Sequence, residues 1–136
     1  MSGNAGGGVK SLTGVWQGLY SYPGKGESVP FVATLIEAGG AISGTTHETC
    51  ATRDSSRQTL YAMVSGSRAD SSVIFSKNYD GSAGWIHGVD YDGALNGDAT
   101  EIEGRWNIDG ILQGRFMMIR EAGKEIAVTR EVLEKV

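Results

Sequence analysis

From position 12 onward the chain alternates. Apolar and aromatic side chains recur at every second position in short runs, and clusters of Gly, Asp, Asn and Ser interrupt those runs. A period of two is that of a strand with one buried face. The pattern predicts eight strands, over residues 14–22, 29–37, 41–47, 58–67, 72–79, 85–95, 101–108 and 114–120. The connectors at 37–41, 67–70, 96–98 and 109–110 are short and carry residues that tolerate positive φ. No connector is long enough for a crossover helix, so every neighbouring pair is expected to be antiparallel, in a plain meander. Such strands lose their exposed edges most simply by closing on themselves. The predicted fold is therefore all-β, an eight-stranded antiparallel up-and-down β-barrel. A two-sheet sandwich is the alternative, and it needs longer connections that switch sheets.

A small repeat, apolar-polar-Gly, supports closure. It recurs at Ile42-Ser43-Gly44, Val64-Ser65-Gly66, Ile86-His87-Gly88, Leu95-Asn96-Gly97, Ile102-Glu103-Gly104 and Leu112-Gln113-Gly114. A glycine within a strand permits sharp coiling or close approach of a neighbouring backbone, as barrel closure requires. The segment 1–11 reads as a flexible leader, 12–120 as a single barrel domain, and 121–136 as a C-terminal tail or short amphipathic helix.

Composition narrows the function. With 136 residues there is room for one domain. A net charge of −4 offers nothing to a polyanion, so nucleic acid is not an expected partner. No run approaches the ~18 apolar residues of a membrane-spanning helix, and no membrane association is expected. Cys50 stands alone, which excludes an intrachain disulfide and a thiolate-rich metal site. The leader lacks the apolar core of a signal peptide. The expected location is cytoplasmic, with a signal removed beforehand left open.

Certain residues carry a resemblance. Gly14-Val15-Trp16 opens the first strand and Arg120 closes the last. A Gly-x-Trp in the first strand with a basic residue ending the final one resembles the calycin pattern of lipocalins, fatty-acid-binding proteins and avidins. The stretches 14–22 and 29–35, Ile42-Ser43-Gly44-Thr45 and Gly104-Arg105-Trp106 are also similar to small bacterial domains of the avidin type. The resemblance implies that Trp16 plugs one barrel end and that the Arg120 guanidinium lies across its indole. It also implies an inward face at Trp16, Gly18, Tyr20 and Tyr22. Biotin binding does not carry over. Avidins place an Asn two residues after the Trp, where this chain has Gly18. They place a Tyr two residues after the third-strand Gly, where it has Thr46.

The matching inward face of the third strand is Gly44, Thr46 and Glu48. Aromatic walls with a few convergent polar groups suit a small hydrophobic or aromatic ligand. Equally, eight strands enclose just enough space for side chains to fill. The longer connectors, including 49–57 with Arg53, fall at the end opposite Trp16, which is the expected mouth. The candidate ligand-binding residues are Tyr20, Tyr22, Thr46, Glu48 and Arg53, with Trp16 and Arg120 structural. Lys77 and Tyr79 on the fifth strand offer a charge near the mouth, with a solvated strand end as the default reading. Asp90-Tyr91-Asp92-Gly93 and Asn96-Gly97-Asp98 offer oxygen ligands without the spacing of a calcium loop, and a hairpin turn explains them better. His47 and His87 lack ligand spacing, and no catalytic or metal motif or cofactor signature occurs. Three functions stay open: a small-molecule-binding barrel; a filled barrel acting through protein contacts on its outer surface; and an enzyme using Glu48 or a histidine as base. Apolar residues on both faces of the second and eighth strands predict self-association through those strands.

Overall fold

The computed structural model describes residues 10–24, 28–51, 57–81 and 88–120. Eight strands follow one another: β1 Gly14–Ser21, β2 Ser28–Ala38, β3 Ala41–Ala51, β4 Arg57–Ala69, β5 Ser72–Tyr79, β6 Gly88–Leu95, β7 Glu101–Ile108 and β8 Leu112–Ile119. Each pairs antiparallel with the next, and β8 pairs back on β1 with Tyr20 opposite Phe116. The result is a closed up-and-down barrel of the expected kind, compatible with a calycin-like barrel. Among the described residues no helix is long and apolar enough to cross a membrane.

The third and fourth strands are longer than their pattern predicts. β3 continues past His47 to Ala51, and β4 begins at Arg57, with Glu48 opposite Leu60 and Ala51 opposite Arg57. The connector expected from Thr49 begins as strand instead, and the inward–outward alternation carries on past His47, with Glu48 buried and Thr49 exposed. The expected long connector is thereby cut to 52–56, which lies outside the described residues together with Arg53. So do 85–87 of the predicted sixth strand, the first nine residues and the tail 121–136.

Two turns show why the connectors are short. Gly39 and Gly40 have φ of 60° and 87°, and Asp109 and Gly110 have 54° and 72°. Two consecutive positive φ values make the primed turn whose twist matches that of the strands it joins. Within the wall, Gly104 permits close approach: a Cβ there would sit 2.0 Å from the Asp92 carbonyl oxygen.

One end is sealed. Trp16 and Leu12 are wholly buried, and the Trp16 Nε1–H donates to the Leu12 carbonyl at 3.0 Å. Arg120 lies over the Trp16 ring with its guanidinium carbon 4.6 Å from the centroid. It also donates to the carbonyls of Ala99 at 2.9 Å, Thr13 at 3.1 Å and Ser11 at 2.6 Å. Arg68 supplies a second clamp, donating to the Lys10 carbonyl at 2.5 Å and pairing with Glu37 at 3.1 Å. Lys10 and Ser11, expected in the leader, are thus held against the barrel end. The C-terminal ends of β1, β3, β5 and β7 lie at the opposite end.

Candidate functional site

Alternation along β1, β3 and β5 sends four polar side chains into the same part of the interior. Tyr20 comes from β1, Glu48 from β3, and Lys77 and Tyr79 from β5; all four are buried, Glu48 to 4% and Lys77 to 1% exposure. The Tyr20 hydroxyl donates to Glu48 Oε2 at 2.5 Å, and the Tyr79 hydroxyl to Oε1 at 2.9 Å. Lys77 Nζ reaches the same Oε1 at 3.3 Å. A buried carboxylate is costly unless its lone pairs are met, and here both oxygens are met.

The charges and hydroxyls tune one another. Burial pushes the Tyr20 and Tyr79 hydroxyls well above the usual tyrosine range, and the negative charge of Glu48 pushes the same way. Tyr91 is raised as well, by burial first and by Tyr79 and Glu48 after it. Burial pulls the Lys77 ammonium below its usual value, and the Glu48 charge and hydrogen bond oppose that pull.

Aromatic rings surround the cluster. Tyr22, half-buried, meets Trp106 edge-on at 5.2 Å and Tyr20 at 5.9 Å. Trp106 donates its indole N–H to the Ser21 carbonyl at 3.1 Å. Phe75 and Tyr91 stack at 4.7 Å. The cavity bounded by Tyr20, Tyr22, Lys77, Tyr91 and Trp106 measures about 10 Å³, room for about one water molecule. A larger open cleft of about 610 Å³ lies at the sealed end beside Glu37, Arg68 and Asn96. Of the polar groups lining it, Arg68 is paired with Glu37, and the Asn96 side chain accepts from the backbone amides of Thr100 and Glu101.

Of the residues singled out from sequence, Tyr20, Thr46 and Glu48 point inward and Tyr22 lines the small cavity beside Trp106. The Thr46 Oγ1 is buried with no hydrogen-bond partner among the described residues. Trp16 and Arg120 pack as the resemblance implies. Arg53 and His87 lie outside the described residues. His47 is exposed on the outer wall, its ring 6.4 Å from that of Tyr61, and faces away from Glu48 because adjacent strand residues point oppositely. Among the described residues no cluster of His, Cys, Asp and Glu could hold a metal.

Two expectations are corrected. Lys77 and Tyr79 are interior residues, not a solvated strand end. They share parity with buried Val73 and Phe75, and Glu48, 29 residues away from Lys77, meets the charge. Asp90 and Asp92 are not turn residues. They lie outward on β6 either side of buried Tyr91, and Asp90 accepts from the Ser76 hydroxyl at 2.8 Å. The turn falls at the expected connector 96–98, where the Asn96 side chain accepts from the Thr100 and Glu101 amides. Phe31, Tyr91 and Trp106 also join the interior unannounced, and only strand parity would have found them.

Comparison with protein-family models and with curated proteins finds no match to this chain.

Proposed function

We propose that the chain is a small-molecule-binding barrel of the avidin-like kind, open opposite Trp16 and taking a ligand other than biotin. One observation carries this reading: an ammonium and a carboxylate, almost fully buried, lie beneath an aromatic mouth formed with Tyr22 and Trp106. Buried ion pairs add little to stability compared with apolar packing of equal volume. Their retention at the end of a barrel is accounted for by recognition. The ligand is an aromatic or hydrophobic body with a polar group directed at the cluster. The available space calls for it to seat at the rim, on Tyr22 and Trp106, with movement of side chains below.

A fragment screen read through the Trp106 indole N–H resonance tests this. Aromatic fragments bearing one polar group are expected to shift that resonance saturably, and Tyr22→Ala is expected to weaken the effect at least tenfold. A screen in which the resonance stays fixed at millimolar concentrations overturns the reading.

A second reading, the filled barrel acting through outer contacts, is favoured by the small cavity and by one surface feature. Val15, Ile36, Tyr61 and Met63 are exposed, by 56%, 56%, 51% and 59%. Val15, Thr34, Thr45 and Met63 form one outward row across β1 to β4. Self-association on this reading uses β1, β2 and β4. Strand β8 contributes less than expected, because Met117 is half-buried and Ile119 fully so.

A further inference from the structure

The interior holds more aromatic surface around Lys77 than neutralising one charge requires. Its Nζ lies 4.8 Å from the ring centroid of Tyr20, 5.1 Å from that of Phe31, 5.0 Å from Tyr79 and 5.2 Å from Tyr91. Those rings come from β1, β2, β5 and β6, so four strands converge on one nitrogen. Glu48 Oε1 completes the shell at 3.3 Å. Phe31 has no hydroxyl and offers the ammonium only its ring. It reaches that place because Gly18 has no side chain: a Cβ there would lie 2.2 Å from the Phe31 ring. Aromatic faces carry negative quadrupole charge, and rings around a desolvated ammonium form the arrangement that recognises organic cations.

We propose that the barrel interior is a built site for an alkylammonium group and that Lys77 occupies it as the chain's own tethered ligand. The tether sets a high effective concentration, on the order of millimolar or above, so free amines are excluded from the intact chain at lower concentrations. Removing the tether hands the site to a free alkylammonium. This assignment does not depend on a ligand at the mouth and stands if none exists.

Lys77→Ala removes three methylene groups and the ammonium, which n-propylammonium replaces. The substitution is expected to lower Tm, and propylammonium chloride is expected to raise it again in a saturable manner at millimolar concentrations. 1-Propanol is expected to be at least tenfold less effective and sodium propionate to have no effect. The same amine is expected to leave the unsubstituted chain unchanged and to lose its effect in Lys77→Ala/Glu48→Gln. Equal rescue by propanol, or no rescue, overturns the proposal. Should Lys77→Ala not fold, the unsubstituted chain decides through its lysine ammonium ¹H–¹⁵N spectrum. One slowly exchanging ammonium signal, shifted upfield by the rings and absent from Lys77→Met, supports the site; its absence at neutral pH overturns it.

Discussion

The Arg120 guanidinium lies 4.6 Å from the Trp16 ring centroid while donating to three backbone carbonyls, those of Ser11, Thr13 and Ala99. The pair joins the two ends of the barrel sheet and seals its floor. Trp16→Ala is expected to cost about 3–5 kcal/mol, the usual range for truncating a buried large aromatic. Urea denaturation measures it, and a cost under about 1 kcal/mol would mean that the floor is held by Arg68 and Leu12 alone.

Glu48 is the centre of the interior network. Glu48→Leu leaves the Lys77 ammonium buried without its anion and is expected to destabilise by about 3–5 kcal/mol. The double variant Glu48→Leu/Lys77→Met replaces both charges with apolar groups and is expected to recover most of that loss. A double variant no more stable than the single one would show that the pair is not coupled. Denaturant midpoints of the four proteins in the cycle give the answer.

Alkaline pH acts through the buried hydroxyls. The folded state holds the protons of Tyr20, Tyr79 and Tyr91 above the ordinary value of 10.0, whereas the unfolded chain releases them near it. Only the unfolded state loses protons as pH passes about 10, so stability is full below that point and declines above it. Phenolate absorbance from these tyrosines is expected to appear together with loss of the strand circular-dichroism signal. Phenolate from all three while the strand signal is intact would contradict the network.

The void at Gly18 is filled by the Phe31 ring. Gly18→Ala would place a methyl group 2.2 Å from it and force the ring away. The expected cost is about 1–3 kcal/mol, typical of overpacking a tight core. A crystal structure of the variant with Phe31 unmoved would refute the account.

The outward row on β1 to β4 predicts self-association. Light scattering at micromolar concentration is expected to give an even oligomer, and Met63→Glu is expected to shift it toward the 14.4 kDa monomer. A monomer at all concentrations removes the filled-barrel reading's proposed interface.

Strand number, order and closure were legible because a period of two and short turn-forming connectors leave few ways to arrange eight strands. Tyr20 and Glu48 were legible for the same reason: parity alone sends them inward. Lys77 was not. A lysine two residues from a strand end reads as solvated unless a partner is known, and its partner stands 29 residues away. Parity with Val73 and Phe75 carried the signal, but the energetic penalty of burying an isolated charge argued against it. The same blindness to distant pairs hid Arg68 and Glu37 at the sealed end. Conversely, the chain from Thr49 onward resembled a loop, and β3 ran on through it to Ala51.

The bonds from Arg120 to Thr13 and Ser11 span 107 and 109 residues. Seam and floor therefore form only after synthesis has passed Arg120. A nascent barrel lacking β8 keeps an open edge, and water reaches the interior through it. Glu48 and Lys77 can pair across β3 to β5 in that open sheet, but they are desolvated only when the last strand docks. Closure thus combines a costly loop entropy with removal of water from two charges, and folding is expected to be slow for so small a chain.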